Sequence, residues 1–232
     1  MPNDTSINYT ERLFSKGARK RLHLARFYWL ERQTRNLRYP IRSVLEIGCF
    51  DGKALDFLPN PPKAYTGIDA NWEGGLDIAR EKYKGQQAFE FIEASRIKHI
   101  SLNQTYEISI CMETLEHVPP RQMEKYLDLL VEKTDKNIFI TIPNELGFLF
   151  AAKYLAKLVF TGAQEISIND YINLTLKKAD RVKRRGHIGF DYRTVITYFS
   201  TRGFPCHIES LPISWLPRGL AFTIAIRVDL NR

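Results

Sequence analysis

The stretch VLEIGCFDGK, residues 44–53, decides the fold of this chain. A short apolar run ends at Gly48, as a buried parallel strand does, and a turn between Gly48 and Gly52 follows it. The pattern predicts a helix after the turn, and Gly48 lets the backbone approach a ligand at the helix N-terminus. Glu46 stands just inside the strand, where a carboxylate accepts hydrogen bonds from an ammonium group such as that of methionine.

Similar apolar runs recur along the chain, with helical patterns such as Arg121–Thr134 between them. Alternating strands and helices predict a parallel sheet with right-handed crossovers. The last two runs follow a predicted helix, DYRTVITYFSTRG, and have no helix between them, which predicts a closing antiparallel hairpin. We therefore expect an α/β fold with a doubly wound, mostly parallel, seven-stranded Rossmann-like sheet and an antiparallel last strand. The runs are SVLEIG (43–48), AYTGID (64–69), FEFIEA (89–94), EISICME (107–113), NIFITIP (137–143), CHIESL (206–211) and AFTIAIRVDL (221–230).

Two segments fall outside a minimal α/β domain. From Glu11 to Arg38, apolar residues at helical spacing predict a long amphipathic helix, with Ala18, Leu22, Ala25 and Trp29 on one face. Residues 144–186 look helical throughout and predict a cap insertion. We thus divide the chain into a basic helical extension (1–40) and one domain (41–232) that contains the cap (144–186).

Within the cap, Leu146–Phe160 is apolar on nearly every face except at Lys153 and Lys157. It is too short to span a bilayer. Two interpretations remain open: a buried lid or oligomer helix, or an interfacial helix that contacts a membrane or a lipid-like substrate.

The charge of the chain is concentrated near its beginning. The formal net charge is +8, and residues 11–42 alone contain ten Lys or Arg and two Glu. This basic segment, and a second one over Lys177–Arg185, indicate either contact with a phosphate-bearing partner, nucleic acid or an anionic membrane surface, or simply a solvated helix face.

The cysteines and the hydropathy predict the compartment. Cys49, Cys111 and Cys206 are too few and too scattered for a disulfide framework or a zinc site, so we expect reduced thiols. No apolar run is long enough for a transmembrane helix, and the polar first ten residues do not resemble a secretory signal. We expect a cytoplasmic protein, with peripheral membrane association left open.

The spacing of glycines and acids indicates the cofactor. Asp69 ends the second predicted strand, 21 residues after Gly48, where an acid holds both ribose hydroxyls of an adenosine. Nicotinamide enzymes have G-x-G-x-x-G after the first strand. Here the spacing is G-x-x-x-G with an acid two residues before the first glycine, which favours S-adenosylmethionine (SAM).

The E-x-G-C-x-x-G turn, the second-strand aspartate and the stretch YEISICMETLEHVPP resemble class I SAM-dependent methyltransferases over roughly residues 40–230. Within that family, METLEHVPP is most similar to O-methyltransferases of the ubiquinone-biosynthesis type. The resemblance implies that one group of residues surrounds the methionine part, a second holds the ribose, and a third flanks the adenine and the sulfonium. The groups are Glu46, Gly48, Cys49, Phe50 and Gly52; Asp69, Ala70 and Asn71; and Ala94, Ser95, Arg96, Cys111 and Met112.

The chain departs from the family pattern at two of these positions. Phe50 stands where many relatives have glycine, so the turn is expected to be tighter or partly capped by an aromatic ring. Ser95 replaces the usual acid near the adenine amino group, which weakens that contact.

The end of the fourth strand is the expected catalytic position, because ligands bind outside the carboxyl ends of the strands. Glu113, Glu116 and His117 form E-x-x-E-H there. Three interpretations are open: Glu116 and His117 cap the next turn, His117 acts as a general base, or the group binds Mg²⁺ or Mn²⁺. Metal-dependent ribose 2′-O-methyltransferases of small-RNA 3′ ends show a similar E-x-x-E-H with a distant histidine. That resemblance implies His187 as a further ligand.

The acceptor is predicted by exclusion. The motif N/D-P-P-Y/F is absent after the fourth strand, and no Pro-Cys nucleophile occurs there, which disfavours methylation of adenine amines and of cytosine C5. We expect an oxygen acceptor on a small metabolite, glycan or lipid-linked compound, covered by cap residues. A ribose 2′-O methyltransferase that binds RNA through the basic helix, and a catalytically silent scaffold, are the alternatives. The cap residues considered are Tyr154, Tyr171 and Arg184 or Arg185, and His187 and Tyr192 are expected near the same cleft.

Overall fold

The computed structural model describes residues 17–161, 166–184 and 186–230. Seven strands form one sheet in the order β3-β2-β1-β4-β5-β7-β6, with β7 antiparallel to both of its neighbours. The predicted doubly wound sheet with an antiparallel last strand is confirmed, and the sequence did not predict that β7 lies between β5 and β6. The strands are β1 Ser43–Ile47, β2 Ala64–Asp69, β3 Phe89–Glu93, β4 Tyr106–Met112, β5 Thr134–Pro143, β6 Cys206–Leu211 and β7 Thr223–Asp229.

Helices cover both faces of the sheet. One face packs against α3 and α6 through buried residues such as Leu130 and Phe199. The other face carries α1, whose Trp29 ring meets Phe139 of β5 edge-on at 5.9 Å. The strand order reverses at β1 and β4, and the crevice at this switch point is where ligands bind in such sheets. The helices are α1 Gly17–Arg35, α2 Gly75–Lys82, α3 Pro120–Lys133, α4 Gly147–Thr161, α5 Ile168–Thr175 and α6 Tyr192–Thr201.

The prediction of an α-helix after the first glycine turn is wrong. The segment is a five-residue 3-10 helix, Lys53–Phe57. Pro59, Pro61 and Pro62 follow at once, and proline lacks the N–H that would continue a helix. α1 packs over this short segment instead, with the Phe27 and Phe57 rings stacked at 5.1 Å.

The predicted N-terminal helix is confirmed over Gly17–Arg35, while residues 1–16 lie outside the described residues. Glu209 of β6 holds α1 in place, because its carboxylate accepts hydrogen bonds from the side chains of Trp29, Arg32 and Gln33. α1 is therefore fixed against the sheet. The domain boundaries at residues 40, 144 and 186 stay predictions.

The cap is less helical than expected. After α4 and α5 it continues as a 3-10 turn, Ala179–Arg181, and irregular chain. Its own small core contains Leu146, Phe150 and Leu174. One face of α4 is thus buried, and Phe148 and Val159 on other faces stay more than 70% exposed. No described helix is both long and apolar enough to cross a bilayer.

Candidate cofactor cleft and acceptor site

A cleft of about 870 Å³ opens at the carboxyl ends of the central strands. Most of the residues predicted for cofactor, catalysis or metal line it, whereas Gly52, Asn71 and Cys111 do not. Cys111 lies fully buried within β4, and Gly52 and Asn71 shape turns behind the cleft. The lining residues from the prediction are Glu46, Gly48, Cys49, Phe50, Asp69, Ala70, Ala94, Ser95, Arg96, Met112, Glu113, Glu116, His117 and His187.

Gly48 is required by a close approach between two loops. Its φ of 78° is left-handed, and its N–H donates to the Ile68 carbonyl at 2.7 Å. A Cβ at this position would lie only 2.0 Å from Thr114 Oγ1 in the loop after β4. No other residue type fits, because both the conformation and the space demand glycine.

Phe50 has a left-handed backbone conformation, which favours glycine. Its φ is 46°, which is a strained region for a side chain of this size. The ring lies on Gly75 at the start of α2, where a Cβ would come within 2.3 Å of Phe50 Cδ2. The aromatic cap expected from the sequence is therefore directed at α2, and Gly75 is the complementary residue that sequence reasoning missed.

Asp69 is held with its carboxylate at the cleft. Oδ2 accepts the N–H of Phe50 at 3.0 Å, and Oδ1 accepts the N–H of Asn71 at 2.8 Å. Each oxygen keeps a further lone pair for a ligand hydroxyl. The Asn71 side chain braces the loop, since its Oδ1 accepts the N–H of Leu76 and its amide donates to Asp77.

Glu46 is a buried carboxyl group, only 3% exposed, at the floor of the cleft. The Tyr65 hydroxyl donates to its Oε2 at 2.6 Å. Burial raises the pKa of Glu46 to about 8, and the Tyr65 hydrogen bond acts in the opposite direction.

Arg26 is a cleft residue that the sequence did not identify. It reaches the cleft from α1 and forms an ion pair with Glu113, which also accepts a hydrogen bond from Thr223 Oγ1 at 3.3 Å. Glu113 therefore turns away from the other residues of the E-x-x-E-H motif. Only the general basicity of residues 11–42 hinted at Arg26, because 87 residues separate the two partners.

Three of the four residues considered as metal ligands, Glu116, His117 and His187, come together, whereas Glu113 does not. Their ligand atoms lie within 4.8 Å of one another, and the two imidazole rings meet edge-on with centroids 4.3 Å apart. Glu116 is 1% exposed, and among the described residues its Oε2 has no hydrogen-bond partner. Burial raises the pKa of Glu116 to about 8. Partial burial and the nearby His187 and Arg184 lower the pKa of His117, although its ring reaches solvent.

The cap residues expected to close over the acceptor do not line this cleft. The rings of Tyr154 and Tyr171 pack against each other at 5.5 Å inside the cap, and Tyr192 is buried in the core between α6 and the sheet. Arg184 binds the carbonyls of Leu115 and Glu116 at 3.0 and 2.7 Å. It therefore positions the Glu116 loop. Arg185 lies outside the described residues.

Sequence comparison finds relatives among curated proteins, whereas no family model matches. A ubiquinone biosynthesis O-methyltransferase of Coxiella burnetii (strain RSA 493 / Nine Mile phase I) is 30% identical over 158 residues, which are 64% of this chain and 66% of that protein. The enzyme of the same name from Aliivibrio fischeri (strain MJ11) is 28% identical over 68% of this chain and 71% of its own length. The chain thus matches just under two thirds of the length of the first of these relatives.

Solved structures share the fold. The plantazolicin methyltransferase BpumL with S-adenosylhomocysteine (SAH) and a monoazolic desmethylPZN analog has a TM-score of 0.61 at 15% identity, over 96% of this chain and 89% of that one. The methyltransferase domain of bacterial CtHen1 has a TM-score of 0.61 at 13% identity, over 91% of this chain and 100% of that one.

The strand order, the cleft at the switch point and these structural similarities define the fold class of the chain. The fold is that of the class I SAM-dependent methyltransferases, to which these solved structures are similar. In sequence the chain is related to the O-methyltransferases of ubiquinone biosynthesis.

Proposed function

We propose that this protein is an enzyme that transfers the methyl group of SAM to an oxygen of a small-molecule, glycan or lipid-linked acceptor. One observation carries the proposal: a single cleft joins Glu46, Gly48 and Asp69 to the cluster of Glu116, His117 and His187. The first group suits the amino acid and ribose of the cofactor, and the second suits the reacting oxygen.

Each end of the cofactor meets a side chain of matching chemistry. Glu46 accepts hydrogen bonds from the ammonium group, and Asp69 accepts them from the ribose hydroxyls. Arg26, at the Glu46 end of the cleft, offers a cation for the cofactor carboxylate. Ala94, Ser95, Arg96 and Met112 stay the proposed contacts for the adenine and the sulfonium.

The transfer needs positioning and the removal of one proton. As the acceptor oxygen attacks, the new O–CH₃ bond forms, the S–CH₃ bond breaks, and SAH leaves. His117 is suited to take the hydroxyl proton, because its lowered pKa keeps the imidazole neutral near pH 7.

A divalent cation also fits this place. The buried Oε2 of Glu116, without a partner among the described residues, and two imidazoles form a donor set for Mg²⁺ or Mn²⁺. Glu116, His117 and His187 would hold the ion, and Glu113, paired with Arg26, would not. A bound cation would lower the pKa of an acceptor hydroxyl. One imidazole nitrogen of His117 cannot both take the acceptor proton and bind a metal ion, so the two roles exclude each other at that nitrogen.

The surface of the cap favours a lipid-linked acceptor, and it favours peripheral binding of this protein to anionic membranes. Of the twelve large apolar side chains that are exposed in the described residues, nine lie in residues 144–186 and 212–222. Exposed Lys177, Lys178, Arg181 and Lys183 adjoin them. Apolar and basic side chains on one surface suit the interface of an anionic bilayer. The nine, here called the apolar surface, are Phe148, Leu155, Val159, Ile168, Ile172, Leu176, Ile213, Trp215 and Leu220.

RNA is a less suitable acceptor. Arg26, Arg32 and Arg35 of the basic helix form ion pairs with Glu113, Glu209 and Glu31. Their charges are thus partly satisfied within the protein. An RNA methyltransferase would bind oligonucleotides with an affinity that falls steeply as salt rises, and we expect no such binding.

Calorimetric titration with SAH, with and without Mg²⁺ or Mn²⁺, tests the proposal. Micromolar binding by the wild type is expected, and it establishes the cofactor. A metal-dependent heat that Glu116→Gln abolishes supports the cation, while binding of SAH without any metal effect favours His117 as the base. Absence of SAH binding under every condition would contradict the enzyme and favour a scaffold.

A further inference from the structure

Tyr65 is a buried polar residue with a direct hydrogen bond to the cofactor cleft. It is 1% exposed in β2, and its hydroxyl donates to Glu46 Oε2 at 2.6 Å on the adjacent strand β1. In the strand register Glu46 faces Gly67, two residues beyond Tyr65. A Cβ at Gly67 would lie 2.8 Å from Tyr65 Cε1 and 2.9 Å from its hydroxyl oxygen. Glycine therefore leaves the space through which the ring reaches Glu46.

The surroundings make this hydrogen bond important for the carboxyl group. The Tyr65 ring lies 5.5 Å from the rings of both Phe89 and Phe91, which form an apolar wall. A buried carboxylate without compensating donors is unstable. The other charged or titratable groups that act on Glu46 come from four elements. They are Arg26 of α1, Asp51 and Cys49 of the glycine turn, Asp69 at the end of β2, and Cys111 of β4.

We infer that Tyr65 is a positioning residue for the cofactor, because its hydroxyl fixes the Glu46 carboxyl group against the methionine end of the cleft. The inference rests on the proposed function. Tyr65 does not line the cleft and acts through Glu46.

A proton balance follows from this arrangement. In the free protein, burial raises the pKa of Glu46 to about 8, so the group is mostly protonated at pH 7. An ammonium group in contact with Glu46 favours the carboxylate, and binding therefore releases a proton. The Tyr65 hydrogen bond lowers the pKa of Glu46, so its loss shifts this release to higher pH.

The test is calorimetric titration with SAH between pH 6 and 9, in two buffers of different ionisation enthalpy. The wild type should release most of one proton at pH 7 and less above pH 8. Tyr65→Phe should weaken binding about tenfold at pH 7 and move the proton release to higher pH. Glu46→Gln should reduce the release to the small part that comes from the ligand's own ionisation, which a titration of free SAH gives.

Tyr106→Phe is the matched control. Tyr106 is equally buried, on β4, and its hydroxyl donates to Thr66 Oγ1 at 2.8 Å in the core on the opposite face of the sheet. The Tyr106→Phe variant should lose about as much stability as Tyr65→Phe and keep the SAH affinity and proton release of the wild type.

Equal affinity and equal proton release in Tyr65→Phe and the wild type would overturn the inference. If Tyr65→Phe does not fold, Glu46→Gln decides, since proton release equal to that of the wild type in this variant also overturns the inference. Failure of the wild type to bind SAH at any pH contradicts the proposed function instead.

Discussion

The cofactor half of the cleft and the cap are built in opposite ways. Around β1 and β2, polar groups such as Glu46 and Tyr65 are buried and hydrogen-bonded to each other. In the cap and the β6–β7 connection, large apolar side chains such as Phe148 and Trp215 are exposed to 71% and 79%. Burying polar groups and exposing apolar ones both oppose stability, so each region indicates a binding requirement.

The two regions differ in what they are shaped to meet. The cofactor half fits a small polar ligand, and its backbone is fixed by left-handed residues such as Gly48 and Phe50. The apolar surface is instead spread over α4, α5 and the β6–β7 connection. The Lys177 side chain links these segments, because it lies beside Gly147 at the start of α4 and beside Gly219 in the β6–β7 connection. A Cβ added at these glycines would lie 3.0 and 3.1 Å, respectively, from the Lys177 side chain. The apolar surface therefore suits an extended partner such as a bilayer.

The largest effect is expected from Gly48→Ala, which adds a methyl group in the cofactor half of the cleft. The added methyl group meets Thr114 and the left-handed φ is unfavourable, so we expect a loss of roughly 2–4 kcal/mol in stability. SAH affinity should fall by at least about a hundredfold. Denaturant unfolding and calorimetry measure both. Gly85→Ala is the control, because nothing lies within 4 Å of its Cβ position, and wild-type behaviour of Gly48→Ala would contradict the packing account.

Removing the ribose contact should have the next largest effect. Asp69→Ala is expected to weaken SAH binding by roughly 1.5–3 kcal/mol, the range for hydrogen bonds to a charged group. Glu90→Ala, at an exposed position on β3, should leave the affinity unchanged. Unchanged affinity in a folded Asp69→Ala variant would remove Asp69 from the site.

The buried carboxyl groups should make the free protein less stable as pH rises. The pKa values of Glu46 and Glu116 lie at about 8, above the unfolded value of 4.5, so the folded state holds extra protons between these limits. The free energy of unfolding should therefore fall from about pH 5 to pH 8, as the folded state loses these protons. Denaturant unfolding at several pH values measures this, and Glu46→Gln should flatten the profile. An identical pH profile in Glu46→Gln and the wild type would contradict it.

The smallest effect is expected at the apolar surface. Leu155→Glu combined with Val159→Glu should leave stability unchanged and weaken binding to phosphatidylglycerol vesicles about fivefold, roughly 1 kcal/mol. Ile78→Glu, at an exposed apolar position on α2 outside this surface, is the control. Equal sedimentation of all three proteins with vesicles would exclude the apolar surface as a membrane contact.

The sequence by itself determined the seven strands, the glycine turn and the group of Glu46, Gly48 and Asp69. Strand period and glycine spacing are local properties, and they can be read over a few residues. It also placed Glu116 and His117 at the end of β4, since the motif follows the strand directly.

Only the tertiary structure decided the partners of these residues. Arg26 reaches Glu113 across 87 positions, the Tyr65 ring crosses Gly67 to reach Glu46, and Gly75 receives the Phe50 ring. The same holds for the tyrosines of the cap, which pack into its core and do not face the cleft. Such contacts depend on how helices and strands pack in space, and no local pattern in the chain specifies that packing.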